Sequence, residues 1–177
     1  GAYHITATAP NHQCTVSGNG QGSATADVTN IQVACTLVRY KLSGTVSNLD
    51  GGITLAAGGA STTVSGTGTG ATPFEIAGAL AHGQAYTLTV ATQPFGQTCT
   101  VGFKGTGSNT TADVSGAMVA CAYGQFPLAA DVSGLHGGGK LVLQRGSATP
   151  ITVTGGGSGT DTASFGNFTH KTPYSVS

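Results

Sequence analysis

The sequence predicts an all-β chain made of tandem β-sandwich modules of about 85 residues. Three observations predict it. Short β-branched segments alternate with glycine-rich turns along the whole chain, and no segment sustains a helical period. The chain repeats itself: Pro94-Phe95-Gly96-Gln97-Thr98-Cys99-Thr100-Val101 echoes Pro10-Asn11-His12-Gln13-Cys14-Thr15-Val16, and Val132-Ser133-Gly134-Leu135 echoes Val46-Ser47-Asn48-Leu49. The four cysteines follow the same beat, as Cys14/Cys35 and Cys99/Cys121, each second cysteine preceded by an Ala-Asp-Val (Ala26-Asp27-Val28 and Ala112-Asp113-Val114).

Taken in order, residues 1–39 carry only the last strands of a module. Tyr3 begins one, the segment around Cys14 is the next, and the segment ending at Cys35 is the last. Residues 40–123 hold a complete copy, with strands expected at 40–46, 52–56, 61–65, 73–77, 85–91, 98–102 and 117–123. The fifth alternates most clearly: Tyr86, Leu88 and Val90 point one way, Thr87 and Thr89 the other. Tyr86, Leu88 and Val90 are therefore expected in the core, with Leu42, Val46, Ile53, Leu55, Val64, Phe74, Ile76, Val101 and Val119. Residues 77–82 are read as at most one helical turn, because Gly78 and Gly83 break anything longer. Residues 124–177 supply the first four strands of a further copy and the start of a fifth at Pro173-Tyr174-Ser175-Val176-Ser177. Tyr3, Tyr86 and Tyr174 are repeat equivalents and expected inside. Seven short strands with regular turn signals are the pattern of an immunoglobulin-like or fibronectin-like sandwich.

Glycine-rich runs at 66–70, 137–139 and 155–159 read as loops between strands. The junctions at 36–39 and 122–125 leave almost no linker, which stiffens a tandem array. Neither terminal piece closes a sandwich alone; each is expected to leave unpaired edges and an exposed apolar face. Three completions are open: neighbouring repeats of one long polypeptide, successive copies of the chain, or a fold-back of the two pieces on each other. The short junctions disfavour the last.

Composition narrows the function. Charged residues are 7% of the chain, against about 25% in an ordinary domain, and the formal net charge is zero. A chain this neutral has no electrostatic attraction to nucleic acid or anionic lipid, and it favours self-association over repulsion. No apolar run is long enough to span a membrane. The cysteines lack the close CxxC pairs of metal sites, so one disulfide per module, Cys14–Cys35 and Cys99–Cys121, is expected, placing the protein outside a reducing compartment. Each closes a loop worth roughly 3 kcal/mol in the chain-entropy account.

No catalytic, cofactor-binding or metal-binding residue is predicted. His4, His12, His82, His136 and His170 lack the HxxxH or HExxH spacing of ligands, though His82 and His170 share one repeat position before the tyrosine strand. Asp27, Asp50, Glu75, Asp113, Asp131 and Asp161 are too scattered for a calcium cage or a glycosidase pair. Asp27 and Asp113 are read as turn-capping residues. The run 66–71 lacks the lysine and helix of a phosphate loop, and no GxSxG elbow occurs. Phe95 and Phe103 have no aromatic counterpart in the first copy and are expected at the surface. Asn109-Thr110-Thr111 and Asn167-Phe168-Thr169 match the N-glycosylation pattern.

The succession Val46-Ser47-Asn48-Leu49-Asp50-Gly51-Gly52, then Gly83-Gln84-Ala85-Tyr86-Thr87-Leu88-Thr89-Val90-Ala91-Thr92-Gln93-Pro94, then Gln97-Thr98-Cys99-Thr100-Val101 and Val119-Ala120-Cys121 resembles tandem immunoglobulin-like repeats of large secreted and surface proteins of Gram-negative bacteria. The resemblance covers essentially the whole chain and brings no catalytic residues. It implies an extracellular structural protein: a filament or surface stalk of disulfide-locked sandwiches joined by covalent continuity or strand complementation, whose partners are neighbouring repeats or copies of itself. The alternative is an adhesive module that takes glycans or a host surface on its loops.

Overall fold

A computed structural model describes residues 1–176. Among them there is no helix, and the strands run in order as β1 (Ala2–His4), β2 (His12–Gly18), β3 (Gln21–Ser23), β4 (Ile31–Leu37), β5 (Arg39–Ser47), β6 (Asp50–Ala57), β7 (Ala60–Thr67), β8 (Ala71–Ala81), β9 (Tyr86–Thr87), β10 (Thr89–Thr92), β11 (Gln97–Val101), β12 (Thr106–Gly107), β13 (Val114–Tyr123), β14 (Gln125–Ser133), β15 (Lys140–Leu143), β16 (Ile151–Thr154) and β17 (Thr160–Thr169). Ser177, the last residue of the strand expected at 173–177, lies outside the described residues. The chain forms two compact units: Gly1–Pro94 with Cys99–Cys121, and Phe95–Thr98 with the chain from Ala122 onward.

In the first unit, β5 to β13 build a sandwich. One sheet has the order β11-β13-β5-β8, the other β10-β6-β7, and a short ribbon joins β12 to β9. β5 and β8 are antiparallel, but β5 and β13, the first and last strands of the module, run parallel, with Val119 beside Val46 and Ala117 beside Gly44. This order differs from the ABED and CFG partition of immunoglobulin constant-type sandwiches. Gly44 permits the close approach, since a Cβ there would lie 1.9 Å from the Ala117 carbonyl oxygen.

The alternation read from the sequence holds where a strand has one buried face. Leu42, Val46, Ile53, Leu55, Phe74, Ile76, Leu88 and Val119 are all buried, each contributing about 1.5–3 kcal/mol. Val64, Tyr86, Val90 and Val101 instead pack at the margin of the core, half-buried. Tyr86 sits on the two-stranded ribbon, where its hydroxyl donates to the Lys104 carbonyl, and Tyr174 is exposed. Leu49, Leu80, Ala79 and Ala117 are core residues that the alternation misses. The helical turn expected at 77–82 is strand instead: β8 runs to Ala81, because Leu80 pairs with Tyr40 and fills the core, with an irregularity in the ladder spanning Gly78. The strand expected at 85–91 is broken in two, since β9 pairs with β12 whereas β10 pairs with β6.

The remaining strands repeat this geometry in part. β1 and β3 form the counterpart of the β9–β12 ribbon: Tyr3 donates to the Asn19 carbonyl as Tyr86 does to Lys104, and the Ile5 amide donates to Gly20 as Leu88 does to Gly105. β2 and β4 are an antiparallel pair with Cys14 opposite Cys35. In the second unit β14 pairs with β17, and β15 with β16, as β5 does with β8 and β6 with β7. The turn after β5 places Asn48 at φ 55°, and the turn after β14 places Gly134 at φ 77°.

Leu49 and Leu135 occupy equivalent turns, but Leu49 is 1% exposed and Leu135 only half-buried. Leu49→Ala is expected to lower stability by about 3 kcal/mol, and Leu135→Ala by clearly less. Denaturant unfolding of both variants followed by hydrogen exchange, which separates the two units, checks the order; equal losses would contradict it.

Candidate functional site

Among the described residues no group of three or more His, Cys, Asp and Glu converges. His12, His82 and His170 have local partners. His12 Nδ1 lies 2.8 Å from the Pro10 carbonyl, and His82 Nδ1 lies 3.0 Å from the Tyr40 hydroxyl. His170 is ringed by Phe95, Phe126 and Tyr123, at 5.3, 5.7 and 6.1 Å between ring centres. The carboxylates are apart as well. Glu75 pairs with Lys41 at 3.2 Å, Asp161 accepts from the Gly156 amide, and Asp131 accepts from the Thr162 hydroxyl. Asp113 does not cap its own turn. It accepts from the Lys41 amide at 3.0 Å, extending the parallel β5–β13 ladder by one side-chain bond. Phe95 and Phe103 are 86% and 65% exposed, as their lack of counterparts predicts. Asn109 and Lys104 take left-handed backbone, at φ 51° and 53°, in the turns flanking β12. Burial pushes the Tyr86 phenol above its usual pKa.

The cysteines bond as paired in the sequence, Cys14 to Cys35 and Cys99 to Cys121. Both bridges join adjacent strands of one sheet, with Cα atoms 4.0 and 3.9 Å apart. Cys99 and Cys121 are buried, so the second bridge is part of the core. β11 lies at the edge of its sheet, and Gln93 covers that edge. Its side-chain oxygen accepts from the Cys99 amide at 2.8 Å and its side-chain nitrogen donates to the Cys99 carbonyl at 3.0 Å. The amide thus stands in for one residue of a neighbouring strand. In the first copy Ala9 replaces Gln93, and the main chain there makes an isolated bridge between Ala9 and His12.

The feature that recurs is the joint. In the first unit a single residue, Val38, separates β4 from β5. Its amide donates to the Asn11 carbonyl and its carbonyl accepts from the His82 amide, both at 2.9 Å. In the second unit Gly124 precedes β14; its amide donates to the Gly96 carbonyl and its carbonyl accepts from the His170 amide, both at 2.8 Å. Asn11 and Gly96 are both left-handed, at φ 59° and 72°, and so are the residues after each histidine, Gly83 at 71° and Lys171 at 64°. Each connecting residue is therefore clamped between the hairpin tip that precedes a disulfide strand and the turn that follows the fourth strand. Gly96 is required at its tip, because a Cβ there would lie 2.5 Å from the His170 ring. Sequence reading found the short junctions and the shared position of His82 and His170, but not the two carbonyls that complete the clamp. Those acceptors are main-chain atoms and leave no residue signature beyond a tolerance for positive φ.

No protein-family model matches the chain, and no curated protein matches it. No helix of the described residues is long and apolar enough to cross a membrane. The two disulfides fit an oxidising, non-cytoplasmic environment.

Two substitutions test this site. Replacing Cys99 and Cys121 together by Ser is expected to lower the stability of the sandwich by about 3 kcal/mol, measured by guanidinium unfolding. Gln93→Ala is expected to cost about 2 kcal/mol through its two lost hydrogen bonds and to raise exchange at the Cys99 amide selectively. Unchanged exchange there would show that Gln93 does not guard the edge.

Proposed function

We propose that this chain is part of an extracellular filament or surface stalk: a linear array of disulfide-locked β-sandwich modules of about 85 residues, related to the immunoglobulin-like repeats its sequence resembles. The observation that carries the reading is the joint. A one-residue connection clamped by two main-chain hydrogen bonds occurs twice with the same partners in the same roles. An enzyme or a signalling domain gains nothing from repeating the attachment of one module to the next, whereas a spacer depends on it. The disulfide sets how far a loaded module lengthens. With Cys99 and Cys121 bonded, the segment between them, a sequence separation of 22, cannot be drawn out. The sparse charge and abundant Ser and Thr give a surface that does not collect ionic partners.

A second reading draws on the exposed Phe95 ring beside His170, an aromatic tip on a loop of the kind adhesive modules present to sugars. Saturable binding on a glycan array, abolished by Phe95→Ala, would favour it over a purely mechanical role.

Two measurements test the stalk. In single-molecule pulling, reductant is expected to lengthen the release of the middle module by about 75 Å, the extended span of that separation of 22. Release at forces too small to resolve, with or without reductant, would exclude a load-bearing role. Val38→Pro removes the donor to Asn11; nuclear relaxation is expected to show residues 1–37 tumbling separately from 40–121 in that variant and together with them in the native chain. Separate tumbling in both would refute the joint.

A further inference from the structure

We propose that the parallel β5–β13 ladder is the mechanical clamp of the middle module, a shear contact through which tension along the chain passes from the module's first strand to its last. The inference rests on the stalk reading above and names the contact that bears the tension. The chain enters the module at Arg39, the first residue of β5, and leaves it at Tyr123, the last residue of β13. These two strands are neighbours and run parallel. Tension draws β5 toward its own N-terminus and β13 toward its C-terminus, so the strands are pulled past one another along their length. The hydrogen bonds of the ladder then lie across the pull and must yield together. Antiparallel first and last strands bring entry and exit to one end, where tension opens a ladder bond by bond. Parallel pairing is slightly the less stable per residue, so what it contributes here is direction of resistance rather than equilibrium stability.

The surroundings of the ladder fit that duty. The sheet order β11-β13-β5-β8 places both strands in the interior of the sheet. Leu42, Val46, Ala117 and Val119 of the ladder are at most 1% exposed, which keeps water from the core side of its bonds. Side chains fasten it at three places. At its start the Asp113 carboxylate accepts from the Lys41 amide at 3.0 Å. At its end the Ser47 hydroxyl donates to the Val119 carbonyl at 3.3 Å. Between these, the register shifts between Val114 and Ala117, and there the Lys104 ammonium donates to the Ser115 carbonyl at 2.8 Å. Slack at the irregularity and fraying at either end are each opposed by one bond from outside the ladder.

The test pulls the full chain under non-reducing conditions, through handles coupled to azide-bearing side chains. Handles at the exposed positions Thr36 and Gln125 flank the middle module and load the ladder in shear. Handles at Thr69 and Gln125 act from one end of it and peel it open from Ser47. Thr69 stands at that end because the Gly70 carbonyl accepts from the Asn48 amide and the Gly68 amide donates to the Leu49 carbonyl, just past β5. The rupture force is expected to be at least several-fold higher in shear than in peeling. Asp113→Ala is expected to lower the shear force and leave the peeling force unchanged, because peeling begins at the opposite end of the ladder. Asp113→Asn, which keeps an acceptor for the Lys41 amide, is expected to restore the shear force. Equal forces in the two geometries overturn the clamp. So does a shear force that Asp113→Ala leaves intact, and so does an Asp113→Ala loss of the same size in both geometries. A module that resists tension in any of these ways leaves the stalk reading standing, whereas a module with no resolvable resistance in either geometry ends both.

Discussion

The parallel pairing of β5 with β13 is the constraint on which the rest depends. A module whose first and last strands are neighbours is closed only when both ends of its sequence are in place. Val46 and Val119 lie side by side at the centre of the core, 73 positions apart in the chain (46 to 119). The entropy of closing that span must be met before burial of either residue returns anything. Leu42, Ile76 and Ala117 become inaccessible in the same step, because β5 is the strand both halves share. Without β13 beside it, the β5 face is what β14 shows: the same apolar pattern, half-wet.

From this arrangement the positions of the joint and the cystines follow. β13 ends where the next connection begins, so the last strand of one module and the first strand of the next are separated by a single residue. The amide and carbonyl of that residue, Gly124, meet main-chain partners, the Gly96 carbonyl and the His170 amide, as those of Val38 meet the Asn11 carbonyl and the His82 amide. The cystine ties β13 to the strand that approaches that same end, β11. The bridge lies within one sheet and ties the last strand of the sandwich to its edge neighbour.

What the sequence made legible was whatever a local period can express. Alternation located Leu42, Val46, Ile53, Leu55, Phe74, Ile76 and Val119, since each stands in a strand with one wet and one dry face, and also Leu88, which is buried between two short strands. It failed at Leu80, because the irregularity around Gly78 slips the phase of β8 and returns the side chain to the core. It failed at Leu49, which is buried from a turn rather than a strand. It overstated Tyr86, whose strand leaves one sheet for a ribbon within two residues. The cysteine spacing gave the pairing but not the sheet to which each bridge belongs. Asp113 was misread because its donor, the Lys41 amide, lies 72 residues away across a strand pairing that no local pattern announces. The joint was half legible: its length could be read directly, its acceptors could not.

A chain that exposes strand edges and carries no net charge needs another defence against indiscriminate pairing, since edge lysines are the common one and six cationic residues are spread over the whole length. Here the defence is shape. Gln93 fills the ladder position at Cys99 on the edge strand β11 with a side-chain amide. Ala9, lacking that amide, folds the main chain back on His12. Pro127 withholds a donor from the open edge of β14. Each device blocks a generic strand at one position while leaving the rest of the edge usable.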